Sequence, residues 1–471
     1  MLFPLFAAAL SVPGQAIAAP DEAAALRTEI ARMRAHLDQL ETRLNAVEVA
    51  EGSDPVERRG AERADAESIA RSSHVDPLEG GDLPAFAVAS QSAATSPERM
   101  PPAAAAPPVA ASGVTIKPRG RLQMDSNVVS RPAGMTAPTL GWASDVRRAY
   151  LGVDGKLGGG FGYRLEADVA TGDVQFTDAW LTYASGPLTL TLGHHRITSL
   201  EDVTSDLDTS MLERAAFTQA FGMERRLGFS ASYSAGDMLL SAGVFADDLD
   251  TLGDGGSANS YSLDGRLVYM PRLGDTQFHL GGSLHHRELN DLTTTLRYRT
   301  RPGARTTEVR FVDTGTFSAT AETGYGLEFA AIHGPVHVAA ENFWQRVARP
   351  GLPAPTFSGG YGEIGYVFAG GSGRSYKNGT LGSIKPTRGL DKGGAGAWQI
   401  NLRYDWLDLA DKGIAGGRQQ MLGASLMWVP VEHVKFLANY LRVQVRDTPV
   451  RAGGRSDYDT DVFGLRAQYD F

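Results

Sequence analysis

Apolar and polar residues alternate in short runs along most of the chain after Gly113. Two examples are YRLEADVA at 163–170 and WQINLRYDWLDL at 398–409. An apolar residue at nearly every second position is typical of a β-strand whose two faces meet different surroundings. Clusters of Gly, Asp, Pro and Asn separate the runs, as turns do. The pattern predicts that residues 113–471 are all-β.

The face that carries the charges distinguishes a soluble sandwich from a membrane barrel. Both classes alternate, but here the polar positions hold large charges of both signs, and Tyr and Trp occur near the run ends. Aromatic girdles that flank an apolar band are typical of barrels facing lipid. About 359 residues would provide sixteen strands of roughly 22 residues each with their connections, and fourteen or eighteen fit nearly as well. We therefore expect a closed antiparallel transmembrane β-barrel of about sixteen strands.

The last eleven residues, DVFGLRAQYDF, also alternate, and Phe463, Leu465, Ala467, Tyr469 and Phe471 share one face. Soluble chains usually end in a loosely held polar tail. A barrel must instead pair its last strand with its first, because an open edge is not tolerated in lipid. The pattern predicts that the chain ends inside a closing strand.

The N-terminal part has a different organisation. Residues 1–18 resemble a secretory signal peptide with an Ala-Ile-Ala site at 16–18, although no Lys or Arg precedes the apolar run. Residues 21–50 carry apolar residues at alternating spacings of four and three, which predict a coiled coil that self-associates, or alternatively one amphipathic helix. These seam residues are Leu26, Ile30, Met33, Leu37, Leu40, Leu44 and Val47. The Ala/Pro-rich residues 51–112 predict a disordered linker.

The composition and the absence of known motifs argue against several classes of function. The chain has no cysteine, which excludes thiol chemistry, and its formal net charge of −9 argues against a nucleic-acid partner. No Ser-His-Asp or G-x-S-x-G arrangement is evident, and the adjacent His pairs at 194–195 and 285–286 would point to opposite faces of a strand. We expect no enzyme activity, no cofactor and no metal site.

Several stretches, in their order along the chain, resemble the phosphate- and polyphosphate-selective outer-membrane porins (porins O and P). They include KPRGRLQMD at 117–125, RRAYLGVDGKLGGGFGYRLEADVA at 147–170, RRLGFSASY at 225–233, YSLDGRLVYMP at 261–271 and GAWQINLRYDWLDLAD at 396–411. The resemblance implies a trimeric sixteen-stranded barrel in the Gram-negative outer membrane, with the coiled coil in the periplasm. It also implies that the C-terminal Tyr469 and Phe471 are read by the barrel-assembly machinery.

A porin selects by the width and the electric field of its pore. Residues 113–471 contain 29 arginines and seven lysines, and arginine binds phosphate through two donors at once. Alternation places several arginines in the lumen, although each can equally be paired with a lumenal carboxylate such as Glu166, Asp168, Asp264 or Asp405. The predicted lumenal arginines are Arg119, Arg121, Arg148, Arg164, Arg226, Arg266, Arg403 and Arg466.

The resemblance implies that residues 194–226 form the inward-folded constriction loop, which carries Arg196 and Arg214 near its ends, and Arg196 is also predicted to line the pore. Phosphate-selective relatives carry lysine in this region. Here the region contains four acids instead of lysine. These acids can either face the pore and weaken its selectivity for anions, or face the wall and pair with its arginines. The acids are Glu201, Asp202, Asp206 and Asp208.

The resulting hypothesis is a porin that conducts small hydrophilic solutes passively and favours anions such as phosphate, polyphosphate and chloride. A weakly selective general porin of the same fold is the first alternative. An outer-membrane enzyme such as a lipase, and a plugged barrel that tethers the envelope, are alternatives of other classes.

Overall fold

The computed structural model describes residues 113–222, 224–249, 252, 260–290 and 294–471. The predicted signal peptide, coiled coil and linker lie outside the described residues, and so do the seven seam residues from Leu26 to Val47. Those assignments stay predictions.

Sixteen long strands form the wall of the described part of the chain. Their bounds are β1 Lys117–Val129, β2 Gly141–Gly158, β3 Phe161–Asp168, β4 Gln175–Ser185, β5 Leu188–His195, β6 Arg226–Ala235, β7 Met238–Phe245, β8 Tyr261–Tyr269, β9 Thr276–Glu288, β10 Ala321–His333, β11 Val336–Ala348, β12 Thr356–Ala369, β13 Ala397–Asp411, β14 Ile414–Val431, β15 Val434–Arg446 and β16 Tyr458–Asp470.

Each strand pairs antiparallel with the next, and β16 pairs with β1 from Val462↔Val129 to Asp470↔Arg121. Phe471 continues this pairing, because its N–H donates to the carbonyl oxygen of Gly120 at 3.1 Å and its own carbonyl accepts from the Gly120 N–H at 3.1 Å. The predicted closed barrel of sixteen strands is confirmed, and the chain ends within the closing strand pair.

The two ends of the barrel differ in their connections. At the end that holds residue 117 and the C-terminus, most strand pairs are joined by two-residue turns, and we call it the short-turn end. The exceptions there are residues 270–275 between β8 and β9 and the much longer residues 370–396 between β12 and β13, which we call the lower loop. At the opposite, loop end, the described residues between 196 and 225 form the inward loop and those between 289 and 320 form the upper loop. Barrels of the outer-membrane type turn their short connections to the periplasm.

Alternation separates the faces of the wall. In β13 the side chains of Asn401, Arg403 and Asp405 are buried inside, whereas Leu402 and Tyr404 are exposed on the outside. On the outer surface, Phe368, Trp398, Trp428 and Phe436 stack in a row across β12–β15 near the short-turn end. Such an apolar outer band with an aromatic rim is the surface that lipid requires.

Helices are short and lie in the loops. The inward loop contains α1 (Leu200–Val203) and α2 (Ala216–Phe221), and the lower loop contains one 3₁₀ turn, Leu390–Lys392. Among the described residues, no helix combines the length and the apolar character needed to cross a bilayer.

Candidate functional site

The inward loop is held from one side of the wall. Glu341 of β11 accepts hydrogen bonds from the hydroxyl of Ser199 at 2.8 Å and from the N–H groups of Leu200 and Glu201 at 2.8 and 2.7 Å. The first N–H groups of a helix have no partner within it. The Glu341 carboxylate satisfies them for α1 and fixes that end of the loop to β11.

Three further strands hold the rest of the loop. An oxygen of Asp405 in β13 accepts from the N–H of Ala216 at 2.9 Å, which caps α2. The hydroxyl of Ser425 in β14 donates to the carbonyl of Ser210 at 2.6 Å. Asn439 in β15 accepts from the N–H of Leu212 at 3.2 Å. The inward loop therefore extends from the ends of β5 and β6 across the lumen to β11–β15.

The upper loop packs onto the same side. Its Tyr298 ring lies 5.6 Å from Phe221 of α2 and 5.5 Å from Phe357 of β12, and Phe221 lies 5.9 Å from Phe343 of β11. Phe343 and Phe357 are inward-facing wall residues and are almost completely buried. This half of the lumen contains an ordinary hydrophobic core at its loop end.

The lower loop fills the short-turn end of that side. Arg374 donates to the hydroxyl of Ser210 in the inward loop at 2.8 Å. Tyr376 hydrogen-bonds His279 of β9 at 2.6 Å, and the carbonyl of Gly379 accepts from Arg266 at 2.9 Å. We call the lumen bordered by β8–β16, with the three loops bound to it, the packed side.

The remaining lumen, along β1–β6, contains two cavities, and we call it the open side. The outer cavity, of about 570 Å³, is bordered by twelve arginines and four carboxylates. Its arginines are Arg147, Arg148, Arg196, Arg214, Arg225, Arg226, Arg287, Arg297, Arg299, Arg301, Arg305 and Arg310, and its acids are Asp202, Glu213, Glu224 and Asp248.

The inner cavity, of about 430 Å³, lies toward the short-turn end and is bordered by seven arginines and three carboxylates. Its arginines are Arg119, Arg121, Arg148, Arg164, Arg196, Arg214 and Arg225, and its acids are Asp178, Asp202 and Asp206. Tyr150 and Trp180 complete the wall, with Arg121 lying over the Tyr150 ring and Arg164 over the Trp180 ring.

Five residues border both cavities, and we call them the neck: Arg148, Arg196, Asp202, Arg214 and Arg225. Arg225 pairs with Asp178 at 2.6 Å and Arg148 pairs with Asp206 at 2.8 Å. The partners that Arg214 contacts are main-chain carbonyls, those of Glu201 at 2.9 Å and Thr204 at 2.8 Å. Its guanidinium is thus fixed in place by neutral acceptors.

The acids of the inward loop have different surroundings. Glu201 pairs with Arg403 of β13 at 2.7 Å, and Asp206 contacts both Arg121 and Arg148. Burial opposes the ionisation of Asp206, but Arg148 and Arg121 outweigh it and hold the pKa of this carboxyl well below its usual range. Glu201 and Asp206 therefore face wall arginines.

The other two acids are less well compensated. Burial raises the pKa of Asp208, near Lys435 and Arg374 at the lower loop. Asp202 borders both cavities and accepts one bond of 3.3 Å from Arg196. Of the four acids predicted for the constriction, only Asp202 belongs to the neck.

The predicted lumenal arginines divide into two groups. Those bordering the cavities are Arg119, Arg121, Arg148, Arg164, Arg196 and Arg226. Arg266 instead pairs with Glu328 at 2.7 Å, Arg403 with Glu363 at 2.8 Å, and Arg466 with Asp125 at 2.7 Å. These last three guanidinium groups are buried on the packed side or beside it.

Strict alternation missed Arg147. The pairing of β1 with β2 matches Gln123 with Arg148 and then Met124 with Val146, so Arg147 is an extra residue at a bulge. A bulge redirects the side chains next to it. Arg147 and Arg148 consequently both turn inward, where Arg147 pairs with Glu213 at 2.6 Å.

The arginines of the upper loop were also missed, although their local density was a signal. Residues 297–310, RYRTRPGARTTEVR, contain five arginines and one acid. Glu308 pairs with Arg301 at 3.0 Å and with Arg310 at 3.5 Å. Burial and the neighbouring Arg301 lower the pKa of Arg310 to about 10, which reflects the crowding of positive charge.

Comparisons with known proteins agree with this architecture. The family model described as phosphate-selective porin O and P matches residues 116–471. The chain belongs to this porin family. A protein of Caulobacter vibrioides, described as uncharacterised, is 41% identical over 406 residues, which cover 82% of each chain.

Solved structures share the fold. The anion-selective porin from Comamonas acidovorans is 12% identical with a TM-score of 0.51, over 76% of this chain and 100% of that porin. In-vitro folded OmpT, an outer membrane protein of Vibrio cholerae, is also 12% identical with a TM-score of 0.51, over 77% of this chain and 99% of OmpT. Family and fold together support an outer-membrane porin.

Proposed function

We propose that the protein conducts small hydrophilic anions passively across the outer membrane, along the open side of its lumen, and favours phosphate and polyphosphate. The observation that carries this proposal is the excess of arginine over carboxylate along both cavities and at the neck that joins them. Charge of one sign along a narrow passage with low-dielectric walls concentrates ions of the opposite sign.

The route runs from the upper loop through the outer cavity, past the neck, and through the inner cavity to the short-turn end. Wall arginines that are paired with carboxylates, such as Arg121 with Glu166 at 2.9 Å, shape this route. Arg214 differs because, within the described part of the chain, its hydrogen bonds go to main-chain acceptors. It offers donors and a positive charge to a passing anion at the neck.

Oxyanions suit such a lining better than chloride does. A guanidinium presents parallel N–H donors that match two oxygens of one phosphate, and it stays charged at every physiological pH. A series of guanidinium groups lets the anion exchange one pair of donors for the next. The preference for phosphate is therefore supported by the chemistry of the guanidinium group. Reduction of the chloride current by inorganic phosphate would distinguish phosphate from small anions in general.

The proposal extends to the assembly. The mature protein is a homotrimer after removal of residues 1–18, with residues 21–50 as a periplasmic coiled coil and residues 51–112 as linker. Tyr469 and Phe471 are the C-terminal signal for the assembly machinery. The mass of the detergent-solubilised full-length protein, with and without residues 21–50, tests the trimer and the contribution of the coiled coil.

A weakly selective porin is the second candidate, and Asp202 favours it because this acid belongs to the neck. The zero-current potential of the purified protein in a planar bilayer under a tenfold KCl gradient separates the two candidates. A potential of the sign set by chloride supports anion selectivity, and inorganic phosphate at millimolar concentration should then reduce the chloride current. A potential near zero, or one set by potassium, contradicts anion selectivity.

The same preparation tests the remaining classes. A protein that migrates as a folded, heat-modifiable barrel but conducts no current would support an envelope-tethering role. Release of fatty acid from phospholipid vesicles would support an enzyme.

A further inference from the structure

The carboxylate of Asp202 has fewer partners than those of Glu201, which accepts from Arg403 and the Ala215 N–H, and Asp206, which contacts Arg121 and Arg148. One oxygen of Asp202 accepts a bond from Arg196 at 3.3 Å, which is long for an ion pair. The other oxygen is buried and has no hydrogen-bond partner among the described residues. A buried carboxylate oxygen without a donor is uncommon, because its desolvation is not compensated. Asp202 nevertheless borders both cavities, so its charge acts directly on the neck.

The groups around Asp202 come from three parts of the barrel. The inward loop contributes acids and bases, including residues 224–225 at its end, β2 contributes one arginine and the end of β5 contributes one histidine. These groups are Arg196, Glu201, Asp206, Arg214, Glu224, Arg225, Arg148 and His195. The positive charges at the neck outnumber its acids, and Asp202 is the neck's own counter-charge.

We propose that Asp202 sets the strength of anion selectivity: as a carboxylate it offsets part of the positive charge of the neck, and as a neutral acid it leaves that charge uncompensated. This inference rests on the proposed function. It also reconciles the two candidates, because one protein then behaves as a weaker or a stronger anion porin according to the state of one side chain.

The environment of Asp202 supports this change within an ordinary pH range. Burial raises the pKa of Asp202 to about 6, although Arg196 and Arg214 act in the opposite direction. Asp206 differs, since its pKa is held well below the usual range. Above pH 6 the Asp202 carboxylate is charged, and below pH 6 it is protonated. The preference for anions should therefore rise as the pH falls through about 6.

The expected size follows from one charge in a water-filled neck. Removing a unit charge about 6 Å from the path, at the dielectric constant of water, changes the local anion concentration about threefold. The ratio of chloride to potassium permeability should change by at least that factor between pH 8 and pH 4.5. The effect should weaken at 1 M KCl, where the Debye length falls to about 3 Å.

The test is the zero-current potential under a tenfold KCl gradient, measured from pH 4.5 to 8 for the full-length wild type, D202N and H195Q. The histidine variant is needed because His195 borders the inner cavity and histidines titrate in this range. We expect wild type and H195Q to become about threefold more anion-selective at low pH. We expect D202N to show, at every pH from 4.5 to 8, the zero-current potential that the wild type shows at low pH.

Heat-modifiable gel mobility checks that each variant is folded, and D202S replaces D202N if the amide is not tolerated. A wild-type potential that does not vary with pH, or a variation that persists in D202N, overturns the inference while leaving an anion-selective porin intact. Loss of the variation in H195Q alone assigns it to the histidine and overturns it as well. Absence of any current overturns the proposed function and this inference together.

Discussion

The two sides of the lumen use the same residue type in opposite ways. On the packed side, Arg403 bridges Glu363 and Glu201, so its charge holds the inward loop against the wall. On the open side, Arg214 is held by main-chain carbonyls and its charge remains available. The difference shows that the role of an arginine in this lumen depends on whether a carboxylate or a carbonyl fixes it.

The strands of the wall also differ in length around the barrel. Strands β3–β8 contain 8 to 11 residues, about what a membrane span requires. Strands β9–β16 contain 13 to 18 residues, and so do β1 and β2, which continue the long part of the wall past the closing pair. The additional length carries inward-facing residues such as Phe357 and Val445 to the level of the upper loop, where they are buried. The taller side can therefore hold a hydrophobic core.

The largest effect is expected from breaking a buried ion pair of the packed side. Arg266→Gln leaves the Glu328 carboxylate without its two-pronged partner, and such a loss costs about 3–5 kcal/mol. The measurement is a urea titration of the refolded barrel followed by tryptophan fluorescence. Arg297→Gln is the matched control, because Arg297 pairs with Asp313 near the surface and should cost about 1 kcal/mol or less. An equal loss in the free energy of unfolding for the two variants would contradict the distinction between buried and surface ion pairs.

Loosening the inward loop should have the next largest effect. Glu341→Ala removes the acceptor for Ser199, Leu200 and Glu201 and leaves buried donors unsatisfied, at a cost on the order of 3 kcal/mol. Single-channel recordings should show a noisier and smaller current, because the loop is released toward the open side, along which the anions pass. Gln345→Ala is the control on the same strand, since Gln345 bonds Glu322 and Tyr298 instead of the inward loop. A quiet, unchanged current in the Glu341 variant would show that the loop is held by other contacts.

The smallest of these effects is expected at the mouth. Replacing Arg299 and Arg305 together by Gln removes charge from the outer cavity but not from the neck. Anion current should fall at 0.1 M KCl and recover at 1 M, because the Debye length shortens from about 10 Å to about 3 Å. Arg418→Gln, which removes an outward-facing arginine paired with Asp408, should change neither current. A deficit that persists at 1 M KCl would mean that these arginines bind the anion directly.

Much of the wall could be predicted from the sequence, because alternation is a local property. Asn401, Arg403 and Asp405 were expected on one face of β13 and are buried there, opposite the exposed Leu402. Closure by the C-terminal strand followed from the last eleven residues in the same way. The family resemblance, based on motifs in order along the chain, agrees with the match over residues 116–471.

The division of the lumen could not be predicted, because it depends on contacts between distant residues. Glu341 and Ser199 are 142 positions apart, and Asp405 and Ala216 are 189 apart. Alternation also fails at a bulge, which is why Arg147 was missed. The sequence left open whether the acids of the inward loop face the pore or the wall. In the structure Glu201 and Asp206 contact wall arginines, whereas Asp202 belongs to the neck.

The most direct test of the account compares one arginine from each side. We would measure the zero-current potential under a tenfold KCl gradient for wild type, Arg214→Gln and Arg266→Gln at neutral pH. The account predicts that loss of Arg214 reduces the preference for chloride about threefold, the effect of one charge beside a water-filled path, and that loss of Arg266 leaves it unchanged. An unchanged potential in the Arg214 variant, or an equal shift in both, would contradict the claim that anions pass along the open side.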